Sequence, residues 1–291
     1  MSDNQTERRI DAETGIETTG HTWDGIEELN NPLPRWWLWT FYATVAWGIA
    51  YCIAYPAWPL VKGATEGLLG YSTRAEVAAE IEVFKERNAE LSTQLASADL
   101  ETLGANDALQ RFAVSGGAAV FRTHCSQCHG SGAAGAKGYP NLLDDDWLWG
   151  GSVNEIAYSV RHGIRNEQDA DAHWSEMPAF GEILEDGQIE AVVQYVLKIS
   201  GADHDAGLAE QGTELFADEC SSCHGEDGKG MIDQGAPNLA DAIWLYGGDA
   251  ETLRETITYS RFGVMPAWGL RLSESDVNAV SAYVHQLGGG Q

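Results

Sequence analysis

Hydrophobic and polar positions fall into three regimes along the chain. Residues 36 to 60 read WWLWTFYATVAWGIAYCIAYPAWPL, twenty-five positions without a charge. As one helix rising about 1.5 Å per residue, this run reaches about 37 Å, enough to cross a bilayer core. Pro32 and Pro34 precede it and Pro56 and Pro59 close it, while Trp36, Trp37 and Trp39 at one end and Tyr55 and Trp58 at the other suit the two membrane interfaces. A cleaved signal peptide fits poorly, because eight acids lie in the thirty-five residues ahead of the run and the run is too long for a signal's apolar segment. The pattern predicts one retained anchor helix, with Cys52 an inert thiol inside it. From Arg74 to Ala98 the chain becomes a charged amphipathic helix, with Val77, Ile81, Phe84, Leu91 and Leu95 at three- and four-residue steps. Fewer than four heptads are present, so this stripe is expected to pack on a partner subunit or on the following domain. Beyond it strand-like alternation is scarce, and a mainly α fold is predicted.

The third regime is an internal repeat. Cys125-Ser126-Gln127-Cys128-His129 recurs 95 residues later as Cys220-Ser221-Ser222-Cys223-His224. Gly117 and Phe121 before the first motif match Gly212 and Phe216 before the second. Downstream, Pro140-Asn141-Leu142 matches Pro237-Asn238-Leu239, Trp147-Leu148-Trp149-Gly150-Gly151 matches Trp244-Leu245-Tyr246-Gly247-Gly248, and Met177-Pro178-Ala179-Phe180-Gly181 matches Met265-Pro266-Ala267-Trp268-Gly269. Each copy closes on an apolar helix, Ala191, Val192 and Tyr195 corresponding to Ala279, Val280 and Tyr283. The main length difference is an insertion in the first copy, Arg165 to Glu176, which reads as a surface loop. The predicted organisation is an N-terminal segment 1–35, an anchor helix 36–60, an amphipathic helix and connector 61–114, and two tandem globular domains 115–201 and 207–291. In each domain Phe121 with Tyr195, and Phe216 with Tyr283, are expected where its own first and last helices cross.

Charge narrows the function classes. The 291 residues carry 17 Lys+Arg against 44 Asp+Glu, a net charge of -27. A nucleic-acid binder is excluded, since an acidic surface repels phosphate and no basic cluster exists. Beyond residue 60 there are 36 acids against 14 bases, a surface that attracts a basic partner at low salt as well as keeping the chain soluble.

Cys-x-x-Cys-His has a specific chemical meaning. Two thiols three residues apart add to the two vinyl groups of one haem, and the His next to the second thiol is held beneath the iron. A redox dithiol or a zinc site gives no reason for His129 and His224. Two covalently bound haem c groups are therefore expected, on Cys125, Cys128 and His129 and on Cys220, Cys223 and His224. The sixth ligands are Met177 and Met265, the matched methionines, 48 and 41 residues beyond His129 and His224. Met231 has no counterpart in the first copy; His162 and His173 are rival ligands for the first haem or face its propionates. Pairing within each repeat is simpler, while a crossed pairing requires interlocked domains, and both remain open. Pro140 and Pro237 are expected to offer carbonyls to the proximal histidines, and Trp149, Tyr246, Arg161 and Arg261 to lie near propionates. His/Met ligation fills both axial positions, which favours electron transfer over a peroxidase-like reaction with an open iron. Haem c is attached outside the cytoplasmic membrane, which puts residues beyond about 61 in the periplasm and the N-terminus in the cytoplasm.

The segment Thr18-Thr19-Gly20-His21-Thr22-Trp23-Asp24-Gly25-Ile26-Glu27-Glu28-Leu29-Asn30-Asn31-Pro32-Leu33-Pro34-Arg35-Trp36-Trp37, together with Tyr55-Pro56-Ala57-Trp58-Pro59, resembles the opening of the CcoP/FixP family, the membrane-anchored dihaem subunit of cbb-type haem-copper cytochrome c oxidases. The resemblance covers nearly the whole chain. It implies a single transmembrane helix followed by two tandem class I-like cytochrome c domains, in a subunit with no catalytic site of its own. That subunit takes electrons from a donor cytochrome c or the cytochrome bc complex and relays them through a monohaem subunit to the oxygen-reducing, proton-pumping catalytic subunit. It further implies that His21, Trp23 and the Asn30-Asn31-Pro32 turn meet the catalytic subunit. A stand-alone anchored dihaem shuttle is the alternative; it shares the haem motifs but has no need of the N-terminal signature.

Overall fold

The computed structural model describes residues 8–289, apart from the side chain of Trp23, and the expectation for Trp23 lies outside the described residues. The chain divides into a unit ending at Glu86 and a larger one from Arg87 onward.

The first unit opens with a hairpin that the sequence reading did not anticipate. Strands β1 (Thr18–Trp23) and β2 (Ile26–Leu29) pair antiparallel around Asp24-Gly25. Both turn residues have positive φ, 49° and 84°, as a two-residue turn matching strand twist demands. Helix α1 (Arg35–Ala54) follows and stops earlier than the apolar run. The residue before a proline is kept out of the helical region, and Tyr55 ahead of Pro56 has φ -115° and ψ 162°. At 1.5 Å per residue α1 still covers about 30 Å, the thickness of a bilayer core. None of its residues is buried, Trp36 and Trp47 being 70% and 69% exposed, so this is a helix long and apolar enough to cross a membrane and not a buried core helix. After a minimal hairpin, β3 (Pro59–Leu60) with β4 (Gly63–Ala64), the N–H groups of Leu68 and Leu69 donate to the Ile53 and Ala54 carbonyls at 2.9 and 3.0 Å. These bonds satisfy carbonyls that a helix end leaves open.

Helix α2 (Thr73–Ala96) is the amphipathic helix, and its stripe divides into two fates. Val77, Ile81 and Phe84 are exposed. Leu91 and Leu95 pack with Leu103, Leu109, Ala113, Ala279 and Ala282 of the larger unit. The buried Asn278 amide donates to the Leu95 carbonyl at 2.9 Å, so the end of α2 is satisfied by a polar group that would otherwise be costly to bury.

The rest of the larger unit is helical. After a 3-10 turn, Leu100–Ala105, the order is α3 (Asp107–Val120), which runs through a π-helical turn, Phe121–Cys125, into the short α4 (Ser126–His129); then α5 (Val153–His162), α6 (Asp186–Ile199), α7 (Ala206–Glu219), the short α8 (Ser221–His224), α9 (Ala250–Tyr259) and α10 (Glu274–His285). Side-chain oxygens of Asn106, Ser152, Asp205, Asp249 and Ser273 cap α3, α5, α7, α9 and α10 by accepting from N–H groups of the first turn.

The helix crossings are exchanged between the repeats, contrary to expectation. Helix α3 of the first copy packs on α10 of the second, and α7 of the second packs on α6 of the first. Phe121 accordingly meets Tyr283 with ring centroids 5.5 Å apart, and Tyr195 meets Phe216 at 4.9 Å. Helix α5 joins α10, and α9 joins α6. One core holds Phe121, Ile156, Val160, Val277, Val280 and Val284; the other holds Ile189, Val192, Val196, Phe216, Leu253 and Ile257. The physical reason lies in the connection between α6 and α7, residues 200–205, which is short enough to bring these two helices together and leaves α3 and α10 to find each other. Glycine permits both crossings. A Cβ on Gly117 would fall on the Ala279 carbonyl, and one on Gly212 on the Ala191 carbonyl.

Two segments carry the exchange. Ile164 and Met265 trade both backbone hydrogen bonds, each 3.0 Å, and the Ser260 hydroxyl donates to the Met177 carbonyl. Arg165 ties them further, donating from Nε to the Gly263 carbonyl at 2.7 Å and from Nη1 to the Ser175 carbonyl at 2.9 Å. The insertion expected as a surface loop is thus partly inside, with Asn166 buried.

Gly→Ala inside a helix normally stabilises by about 1 kcal/mol. Gly117→Ala should do the opposite, destabilising by about 1–3 kcal/mol through overpacking against the α10 backbone, read as a lower midpoint in thermal unfolding followed by circular dichroism.

Candidate functional site

The two Cys-x-x-Cys-His turns are built alike. His129 Nδ1 donates to the Pro140 carbonyl at 3.1 Å, and His224 Nδ1 to the Pro237 carbonyl at 3.1 Å, the partners expected from sequence. This bond fixes the tautomer and leaves Nε2 free to ligate. The carbonyls are presented by tight turns. Gly135 and Gly230 donate to the His129 and His224 carbonyls at 2.8 and 2.7 Å. At both glycines φ is positive, and a Cβ would strike the backbone of Tyr139-Pro140 or Ala236-Pro237. Burial pushes both imidazoles below the ordinary histidine range, the proline carbonyl opposing it; each ring is therefore neutral at pH 7, the form that binds iron. Burial, with the neighbouring Cys128, pushes the Cys125 thiol up to about 11, and burial, then Glu219 and Cys223, does the same to Cys220. The four motif cysteines are unpaired by disulfides.

The methionines lie on opposite sides of the exchange. Met265 packs against the core that contains Phe121, as do Cys125, Trp268 and Tyr283. Met177 packs against the core that contains Phe216 and Cys220, alongside Leu184 and Tyr195. Met231 is 40% exposed and belongs to neither. Of the rival ligands, His162 Nδ1 is paired with Asp169 at 3.1 Å and His173 is stacked on Trp149, centroids 4.3 Å apart; neither belongs to these cores.

Of the groups expected near propionates, Arg161 is instead engaged by Glu274 at 2.9 Å, at the start of α10. This pairing follows from the exchange and was not readable in one repeat. Arg261 lies over the Tyr246 ring at 4.8 Å and donates to Glu255 Oε2 and the Thr252 carbonyl at 2.8 and 2.7 Å. Trp149 Nε1 is buried without a hydrogen-bond partner, as is His173 Nε2.

The donor set fits haem c. Each turn offers two thiols and a neutral imidazole whose Nδ1 is held by a backbone bond and whose Nε2 is free, and each core adds a thioether. The class defined is a c-type cytochrome behind an apolar anchor helix.

Comparison with known proteins is specific. Residues 15–62 match the model for the N-terminal domain of cytochrome oxidase-cbb3, FixP, and residues 112–196 and 207–284 match that for cytochrome c oxidase, cbb3-type, subunit III. The chain is 61% identical over 276 residues to the cbb3-type cytochrome c oxidase subunit CcoP of Cereibacter sphaeroides, covering 94% of this chain and 95% of the relative. It is 55% identical over 287 residues to CcoP of Rhodobacter capsulatus, covering 95% and 97%, and 51% identical over 284 residues to FixP of Sinorhizobium medicae, covering 98% of each. The chain belongs to the CcoP/FixP family of cbb3-type cytochrome c oxidase subunits.

Asp146 is a site residue that sequence reading missed. Burial, then the Asp241 and Asp144 carboxylates, push its pKa up to about 6. A folded-state value above the unfolded one means that ionised Asp146 costs stability above about pH 6, and that this cost vanishes once both states are protonated, below its ordinary value of 3.8. Asp146→Asn should therefore raise the thermal midpoint at pH 7 and leave it unchanged near pH 3.5, measured by calorimetry.

Proposed function

We propose that this chain is the membrane-anchored dihaem electron-transfer subunit of a cbb3-type cytochrome c oxidase, with its axial ligands crossed between the two repeats. Cys125 and Cys128 hold one haem, ligated by His129 and Met265. Cys220 and Cys223 hold the other, ligated by His224 and Met177. The observation carrying this reading is that Met265 and Cys125 lie against one core while Met177 lies against the core that contains Cys220. Bound there, each haem supplies a one-electron couple whose potential the thioether raises.

The chain's own residues do the positioning. Pro140 and Pro237 orient the imidazoles and raise their basicity. The Ile164–Met265 backbone pair and the Ser260 bond to Met177 fix the two methionines from the crossing segments. With a Met closing each distal side, the subunit has no catalytic site of its own and passes electrons on.

Helix α1 anchors the subunit in the cytoplasmic membrane with its N-terminus inside and residues beyond about 61 in the periplasm, where haem c is attached. Partners are the catalytic and monohaem subunits on one side and a donor cytochrome c or the cytochrome bc complex on the other. The acid excess beyond residue 60 supports a basic donor. Oxygen reduction and proton pumping reside in the catalytic subunit.

Met265→Ala in the full chain should make one of the two reduced haems bind carbon monoxide. In a Cys220→Ala, Cys223→Ala background, which retains only the first haem, Met265→Ala should open the iron and Met177→Ala should not; the reverse result would establish pairing within each repeat. Gentle solubilisation and capture through this chain should co-purify haem b and copper with haem c. Haem c alone, at two per chain, would identify a free-standing shuttle instead.

A further inference from the structure

The segments that lead into the two methionines pass each other, and one side chain touches both. Arg165 Nε donates to the Gly263 carbonyl at 2.7 Å and Nη1 to the Ser175 carbonyl at 2.9 Å. Gly263 lies two residues before Met265, and Ser175 two residues before Met177. A single guanidinium therefore bridges the same step of both segments. Its planar fork sends donors in fixed directions, which a lysine ammonium does not reproduce.

This arginine stands where the repeats meet. Counted from the matched helix caps Ser152 and Asp249, Arg165 lies thirteen residues on in the first repeat and Phe262 thirteen residues on in the second. These equivalent positions face each other, the guanidinium lying over the Phe262 ring at 5.5 Å. The Arg165 backbone is constrained, with φ at 50°, in the left-handed region that side chains other than glycine rarely adopt and that persists only where the surroundings hold it. The loop that follows does so. Arg165 N–H donates to the His173 carbonyl at 2.7 Å, His173 N–H donates to the Gly163 carbonyl at 3.1 Å, and Ile164 between them is paired through both backbone bonds with Met265. Burial lowers the Arg165 pKa, with Tyr246 and Glu176 opposing it. A guanidinium still keeps its charge in a protein, and a charged donor strengthens both bonds to the carbonyls.

We infer that Arg165 is the positioning residue for both axial methionines, one guanidinium holding the segments of Met177 and Met265 together, so that thioether ligation of the two haems is kept or lost jointly. The inference rests on the reading of these methionines as iron ligands, and not on which haem each one serves. Ile164 steadies Met265 and Ser260 steadies Met177; Arg165 couples the two. A neutral, soft thioether binds ferric iron weakly, so its bond lasts only while the segment behind it is fixed. Freeing both segments at once exposes both irons and removes the ligand that raises each potential.

The test uses the full chain carrying its haems. Arg165→Leu, which keeps an apolar contact with Phe262 and removes the fork, should weaken the near-infrared charge-transfer band from thioether sulfur to ferric iron at both haems and lower both midpoints. Carbon monoxide affinity of both reduced haems should rise about tenfold, the worth of one hydrogen bond to a charged group. Arg165→Lys, which retains the charge without the fork, should behave in the same way. If Arg165→Leu does not fold, Arg165→Lys decides alone. A lysine variant with the spectra and midpoints of the unmutated chain would overturn the inference, and so would a leucine variant that unfolds at lower temperature but, while folded, keeps its band and midpoints. Changes confined to one haem would overturn the shared role. Absence of the sulfur-to-iron band from the unmutated chain would instead overturn the methionine reading beneath it.

Discussion

Two close approaches of backbone to backbone organise the haem-bearing region, Gly117 of α3 against Ala279 of α10 and Gly212 of α7 against Ala191 of α6. A side chain at either glycine would separate the helices, and with them Phe121 from Tyr283 or Phe216 from Tyr195. Because each crossing joins different repeats, neither core is built from one repeat alone. The segments that change sides are pinned where they pass, by the Ile164–Met265 pair and by Arg165. Both methionines lie on these segments or directly after them, Met265 against the core of Phe121 and Met177 against that of Phe216.

The two halves are related but not equivalent. They share the proline carbonyl behind the proximal imidazole and the glycine that presents it. They differ around the tryptophan and tyrosine that follow, where one repeat brings an arginine bonded back to the helix before it and the other inserts a loop to bring an imidazole. The divergence is concentrated outside the two cores, so it alters local charge without disturbing either of them.

Much of this was legible in the sequence, and the misses have definite causes. The motif residues, the matched methionines and the roles of Pro140 and Pro237 follow from spacing, since local chemistry dictates them. The apolar run located α1, but Tyr55 before Pro56 ended it early, a local rule that hydropathy does not register. The β1–β2 hairpin has a strong turn signal in Asp24-Gly25, but its strands, TTGHTW and IEEL, lack the apolar alternation that marks a strand. The exchange was invisible for a different reason. A repeat shows which helices are equivalent, but equivalent helices present equivalent faces, so α6 and α10 are both competent partners for α3. What selects between them is the connection from α6 to α7, a long-range consequence of a short loop. Arg161 and Glu274 were missed together, since their pairing exists only once the exchange does.

Chain synthesis runs from the N-terminus, and the exchange gives the two halves different histories. Helices α6 and α7 are neighbours in sequence and can close on each other as soon as residue 219 has been made. Helix α3, made earlier, has its partner at residues 274 to 285, the last helix of the chain. Its apolar face, and the first cysteine motif attached to it, must therefore wait through the completion of nearly everything else, a sequence separation that makes this the slow contact of the fold. The motif synthesised first is the one enclosed last.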